Sequence, residues 1–138
     1  MVATWTVEYE DDAFERFLFS LPQYEQAVLV AAIEHVLQVY GIDICSGEWG
    51  KPVGEGLYEF RVRKSLRTIL TSAGLDVPEA AGSDRSVLLR VFCTFHGNKI
   101  VLLYHGYNKK TDPSTKRQQR EIKKARKLHD RWKHNHQD

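Results

Sequence analysis

Three segments decide the fold: Gly56-Leu57-Tyr58-Glu59-Phe60-Arg61-Val62-Arg63, Val87-Leu88-Leu89-Arg90-Val91-Phe92-Cys93-Thr94-Phe95 and, after Gly97-Asn98, Ile100-Val101-Leu102-Leu103-Tyr104-His105-Gly106-Tyr107. The first alternates through Tyr58, Phe60 and Val62. The other two are rich in β-branched and aromatic side chains, which suit the pleated, half-buried surface of a sheet. The pattern predicts three strands of one small antiparallel sheet. Arg61 and Arg90 stand inside otherwise apolar strands, where a charge costs free energy unless it is paired or used.

A two-residue turn at Gly97-Asn98 sets the register of the hairpin. It puts His96 opposite Lys99, Phe92 opposite Leu103, Arg90 opposite His105 and Leu88 opposite Tyr107. Leu89, Val91, Cys93 and Phe95 then share the other face with Ile100, Leu102 and Tyr104. With the first strand alongside, Glu59, Arg61, Arg90, His105 and Tyr107 come together on one side of the sheet.

The flanking segments complete an α+β domain. Residues 1–10 read as a strand with Trp5, Val7 and Tyr9 on one face. Residues 11–41 read as a helical hairpin. Asp11 and Asp12 are N-cap candidates for Ala13 to Phe19, and Ser20 and Gln23 have the spacing of a capping box around Pro22. Leu29, Ile33, Val36, Leu37 and Tyr40 recur at helical steps, and Gly41 stops the helix. Residues 42–55 read as a Gly-rich loop whose Trp49 either packs on the core, the favoured reading, or presents an aromatic face for stacking. Residues 67–71 admit a strand extension, and 72–86 read as an exposed loop. Asp112-Pro113 opens a last helix, 112–133, as N-cap and first helical residue. Its apolar stripe is Ile122, Ala125, Leu128 and Trp132, which suffices to dock one edge.

Composition sets the class. The 138 residues make a single domain, 1–138, and a 42% hydrophobic, 28% charged chain is ordinary for a globular protein. The acidic start lacks a signal peptide's basic flank, and Val28 to Leu37 is too short to span a bilayer, so a cytoplasmic protein without membrane contact is expected. Cys45 and Cys93 lack ligand spacing and read as reduced core thiols. His134 and His136 lie in a terminal tail and do not make a closed metal site. Lys109 to Lys133 holds 11 Lys/Arg against three acids, whereas the remainder holds nine against 15. That split points the basic end at a polyanion. Arg63, Lys64, Lys109, Lys110, Arg120, Lys123, Lys124 and Lys127 are the candidates to bind it.

Two Arg, a His, a Tyr and a carboxylate form a usable set for RNA cleavage. The 2′-OH must lose a proton, the phosphate gains negative charge, and the departing 5′-oxygen gains a proton. Arg suits the charge. His suits either proton transfer. Tyr can donate a proton or stack on a base. The same residues admit a bland reading, in which Arg61 and Glu59 merely pair and His105 is a satisfied half-buried side chain.

Gly56-Leu57-Tyr58-Glu59-Phe60-Arg61, Leu89-Arg90-Val91-Phe92, Ile100-Val101-Leu102-Leu103 and His105-Gly106-Tyr107-Asn108-Lys109-Lys110 ahead of a basic helix resemble, in order and spacing, the RelE/ParE toxin superfamily. Its HigB-like, phage-related branch is the more similar. The resemblance implies a RelE-like fold and the toxin of a type II toxin–antitoxin pair, partnered by a helix-turn-helix antitoxin. It implies an mRNA interferase that cleaves mRNA on the ribosome without metal or cofactor. It also implies that the polyanion is RNA, and ribosomal RNA for the basic helix. Arg61 and Arg90 match basic motif positions, and Lys109 or Lys110 falls at the basic position after the last strand. Glu59 departs from relatives that carry a basic residue there, which leaves His105 or Glu59 as the base. The ParE branch shares the fold and inhibits DNA gyrase instead. A non-catalytic RNA-binding module is the third alternative.

Overall fold

A computed structural model describes residues 4–77 and 83–136. Five strands form one sheet in the order β1-β5-β4-β3-β2: β1 (Thr6–Tyr9), β2 (Gly50–Gly54), β3 (Leu57–Val62), β4 (Leu89–His96) and β5 (Ile100–Asn108). β2 to β5 run antiparallel to their neighbours, and β1 joins β5 in parallel. Four α-helices pack on it: α1 (Ala13–Ser20), α2 (Gln23–Ala32), α3 (Leu66–Ser72) and α4 (Thr115–Asn135). α2 continues through a π-helical segment (Ile33–Leu37) and a last turn (Gln38–Tyr40). The domain is α+β, as its sequence predicts.

The sheet has a different core on each face. On one, Phe60, Val62, Leu89, Val91, Cys93, Val101 and Leu103 meet Phe14 of α1 and Val28, Leu29 and Ala32 of α2. The helical stretch Gln23–Ser46 has the length and mean hydropathy (1.6) of a membrane span. Here Val28, Leu29, Ala32 and Leu37 are fully buried in the domain core. On the other face Leu57, Phe92, Leu102, Tyr104 and Tyr107 meet Ala125 of α4, with Ile122, Leu128 and Trp132 at the rim. The predicted stripe docks α4, and two polar side chains pin it. Arg126 donates to the carbonyls of Val53 (2.7 Å) and Gly54 (3.0 Å). His129 lies between the Tyr104 hydroxyl (2.6 Å, to Nδ1) and the Glu55 carbonyl (3.1 Å, from Nε2). A carbonyl only accepts, so Nε2 carries the proton and Nδ1 accepts from Tyr104.

Local chemistry corrects several expectations. Residues 42–55 are not a loop: they form a 3₁₀ turn (Gly41–Ser46) and the edge strand β2, whose Lys51 and Pro52 make it a poor template for further strands. Trp49 packs on the core and stacks on Phe60. Residues 67–71 are helical rather than a strand extension, because the Ser65 hydroxyl accepts from the Thr68 amide and caps α3. The 72–86 loop lies partly outside the described residues. Among its described residues 73–76 and 84–86 are exposed, as expected, and its end is tethered: Ser83 is buried, Arg67 pairs with Asp84, and Arg85 pairs with Glu25 at 3.3 Å. The Ser20 capping box does not form, since Ser20 donates back to the Phe17 carbonyl. α4 is capped by Ser114, whose hydroxyl accepts from the Arg117 amide, and Asp112 instead accepts from the Ser114 amide.

The hairpin register departs from expectation twice. The turn takes three residues, with Gly97 and Lys99 in the left-handed region (φ 53° and 57°), so His96 faces Ile100. A bulge then leaves Tyr104 and His105 together opposite Phe92, between the pairs Cys93–Leu103 and Val91–Gly106. Each departure moves the partner by one residue. Between turn and bulge the parity is inverted, so Leu102 and Tyr104 face α4 with Phe92. Beyond the bulge the two shifts add to two, and the predicted face is restored. Arg90 faces Tyr107 rather than His105.

Gly106 follows the bulge, where any Cβ would collide with the Arg90 carbonyl and the Phe17 ring. The carbonyl is held in the sheet and cannot yield. Gly106→Ala is therefore expected to destabilise the fold by about 1–3 kcal/mol in urea unfolding, an overpacking cost.

Candidate active site

Glu59 is fully buried, and its Oε1 accepts from Arg61 Nε at 2.8 Å. The same oxygen lies 3.6 Å from Arg90 Nε, an ion pair without a hydrogen bond. Arg61 and Arg90 face each other across β3 and β4. Like charges directly opposite on a sheet repel, and the carboxylate on the same face offsets that repulsion. The expected Arg61–Glu59 pairing is thus present and is the frame of a larger cluster.

The cluster holds more hydrogen-bonding capacity than it uses. Glu59 Oε2, Arg90 Nε and Nη1 and the Tyr107 hydroxyl are buried without partners. Buried polar groups are normally paired, so several orphans in one place ask for a ligand or for water. Burial, then the Glu59 charge, raises the Tyr107 pKa above its usual phenolic value, which keeps its proton on at neutral pH. Burial lowers the Arg90 pKa and Glu59 opposes that shift. Lys109 belongs to the same group: partial burial lowers its pKa, followed by the charges of Arg90 and Arg61. Its amide donates to the Leu88 carbonyl at 2.8 Å, which fixes the end of β5. Arg63 is exposed nearby, and its charge also acts on Arg90 and Lys109.

Sequence reasoning missed two members. Arg117, from the first turn of α4, lies over the Tyr107 ring at 5.0 Å. It bonds Glu121 at 3.0 Å, and Glu121 reaches within 3.6 Å of His105 Nε2. The signal was their i, i+4 spacing at the start of the basic helix.

His105 reaches the predicted side but joins a neighbouring cluster. Its ring and that of Tyr107 flank Phe92, at 5.3 and 6.1 Å. Both ring nitrogens are buried without a hydrogen bond. Burial first, and the Lys124 charge second, pull its pKa down to about 4, against the pull of Glu121 and Asp11. It is therefore a neutral imidazole at pH 7. A cleft of about 540 Å³ between α1 and α4 lies against it, lined also by Arg16, Lys124 and Arg131.

The remaining RNA-binding candidates divide. Arg120, Lys123 and Lys127 line a groove toward β2, whereas Lys124 faces the α1 cleft. Lys110 is spent on the Ser86 carbonyl (2.7 Å) and Lys64 on Glu48 (2.9 Å). A further cavity, about 460 Å³ between the π-helical segment and α3, is lined by Lys64 and contains none of the clustered residues.

Comparison with family models, curated proteins and solved structures finds no match.

The low His105 pKa makes stability depend on pH. Below pH 6.5 the unfolded chain binds a proton that the folded chain refuses until about pH 4. The unfolded state holds more protons in that window, so this contribution is complete above pH 6.5 and declines as pH falls. Between pH 6.5 and 4.5 the wild type is expected to lose about 1–3 kcal/mol more than His105→Asn in chemical denaturation. Equal losses would show that His105 does not titrate as described.

Proposed function

We propose that this chain is a RelE/HigB-like toxin that cleaves mRNA at the Glu59–Arg61–Arg90–Tyr107 cluster. The observation that carries the reading is the unpartnered Tyr107 hydroxyl, buried beside the equally unpartnered Nε and Nη1 of Arg90. A protonated phenol next to fixed guanidiniums suits a phosphate that gains charge while its 5′-oxygen departs. Arg90 and Arg61 bind the phosphate oxygens, and Lys109 adds a third positive charge at the mouth. Tyr107 donates the proton to the leaving oxygen.

The two candidate bases are not equal. Glu59 is engaged by two guanidiniums and serves to position them. His105 keeps a lone pair free to accept the 2′-OH proton, and the burial that pulls its pKa down to about 4 makes it a weak base until the ring is uncovered. Its nitrogens are covered, so the reading requires α4 to shift at Glu121 when RNA enters. The same reading gives the chain a cytoplasmic setting, the ribosome as its site of action, and a helix-turn-helix antitoxin as its partner.

Tyr107→Phe tests this with little disturbance, since it removes one oxygen that bonds nothing in the fold. Loss of an unpartnered buried hydroxyl is neutral or stabilising for folding. Loss of a general acid typically lowers the rate by roughly 10²–10⁴. The variant is expected to melt no lower than wild type and to cleave ribosome-bound mRNA at least about 100-fold more slowly. Full cleavage by folded Tyr107→Phe would remove Tyr107 from the chemistry. Undiminished growth arrest without RNA cleavage, in both proteins, would favour a gyrase target.

A further inference from the structure

A second cationic surface lies apart from the orphaned cluster. The groove between β2 and α4 has a volume of about 920 Å³. Lys51 stands on the β2 wall, and Arg120, Lys123 and Lys127 stand on the α4 wall, three and four residues apart along one helical stripe. Between the cations, Pro52, Val53 and Ile122 present apolar surface. Asp130 is the carboxylate in the lining, and it pairs with Lys133 at 3.6 Å. Arg126 holds the Val53 and Gly54 carbonyls and so ties the two walls together. None of Lys51, Arg120, Lys123 and Lys127 forms a salt bridge among the described residues.

We infer that this groove is a track for single-stranded RNA, holding the substrate strand beside the cleavage site. The inference rests on the ribonuclease reading. Cations along both rims match phosphates at close intervals. An apolar floor between them is useful only to a strand whose base faces are free, because a duplex hides those faces in its stack. The groove also opens in the right place: Lys51 is the cross-strand partner of Glu59, the centre of the candidate site. A strand leaving the Arg61–Arg90 pair meets Lys51 next. An acidic polypeptide fits the rims equally well, but gains nothing from that continuity.

The test measures affinity for a short single-stranded RNA made uncleavable by 2′-O-methyl groups, and for the same sequence as a duplex, at several salt concentrations. Lys51→Gln/Lys123→Gln/Lys127→Gln is compared with Arg16→Gln/Arg67→Gln/Lys99→Gln, which removes equal charge at positions outside the groove lining. Thermal melts establish that both fold. Three phosphate contacts removed from a single strand flatten the slope of log affinity against log salt by about two. That flattening, confined to the groove variant and to the single strand, is the expected result. Equal effects of the two variants, tighter binding of the duplex, or equal competition by polyglutamate would overturn the proposal. Wild-type cleavage of mRNA with unaltered affinity in the groove variant would overturn the track and leave the nuclease reading standing. Groove-dependent binding by a wild type that cleaves no RNA would support the track and overturn the nuclease.

Discussion

Everything at the candidate site depends on one buried carboxylate. The pairing of β3 with β4 sets Arg61 opposite Arg90, a placement that repels by itself. Glu59 has no solvent exposure and ion-pairs with both guanidiniums. A buried carboxylate costs several kcal/mol of lost hydration, recovered only through close ionic partners. Each charge thus makes the other tolerable. The consequence is preorganisation: two cations are held in place by sheet hydrogen bonds and an anion before any substrate arrives. Charge that develops in a reaction is best met by groups that need not reorient.

The last helix has three jobs that its sequence separates by face. Ala125 and its apolar neighbours close the second core of the sheet. Arg126 and His129 fasten the helix to the β2–β3 turn through three carbonyls, and His129 also ties it to β5 through the Tyr104 hydroxyl. Arg117 and Glu121 cover Tyr107 and His105. Under the nuclease proposal Arg117 in the first turn of α4 and Glu121 in the second would both have to move aside for RNA to reach Tyr107 and His105, while Arg126 and His129 pin the later turns. Folding and access to the site use different residues of the same element.

The sheet and its charged face were legible because strand alternation and buried charge are local signals. Glu59, Arg61, Arg90 and Tyr107 could be grouped from parity alone. The grouping survived a wrong register because a longer turn and a bulge each added one residue, and faces repeat every two. Leu102 and Tyr104, caught between the two shifts, were assigned to the wrong side. Neither shift had a readable cause: Lys99 adopts a positive φ that its residue type does not announce, and the bulge depends on Gly106 meeting Phe17 and Arg90. β2 was missed because Gly50-Lys51-Pro52-Val53-Gly54 has the composition of a loop and becomes a strand only by pairing with β3. α3 was missed for a shorter reason, a Ser65 cap ahead of a segment with β-like residues. His129 carries no signal of burial in a stretch rich in Lys and Arg, and it is tertiary contacts, with Tyr104 and Glu55, that bury it.

The central claim is that these side chains cleave RNA by internal attack of the 2′-oxygen. The most direct measurement is the chemistry of the new ends, made with purified protein and programmed ribosomes. Attack by the neighbouring 2′-oxygen leaves a 2′,3′-cyclic phosphate or its 3′-phosphate hydrolysis product upstream and a 5′-hydroxyl downstream. A 5′-phosphate and 3′-hydroxyl at the break, or intact mRNA under conditions where the protein arrests growth, would contradict the account.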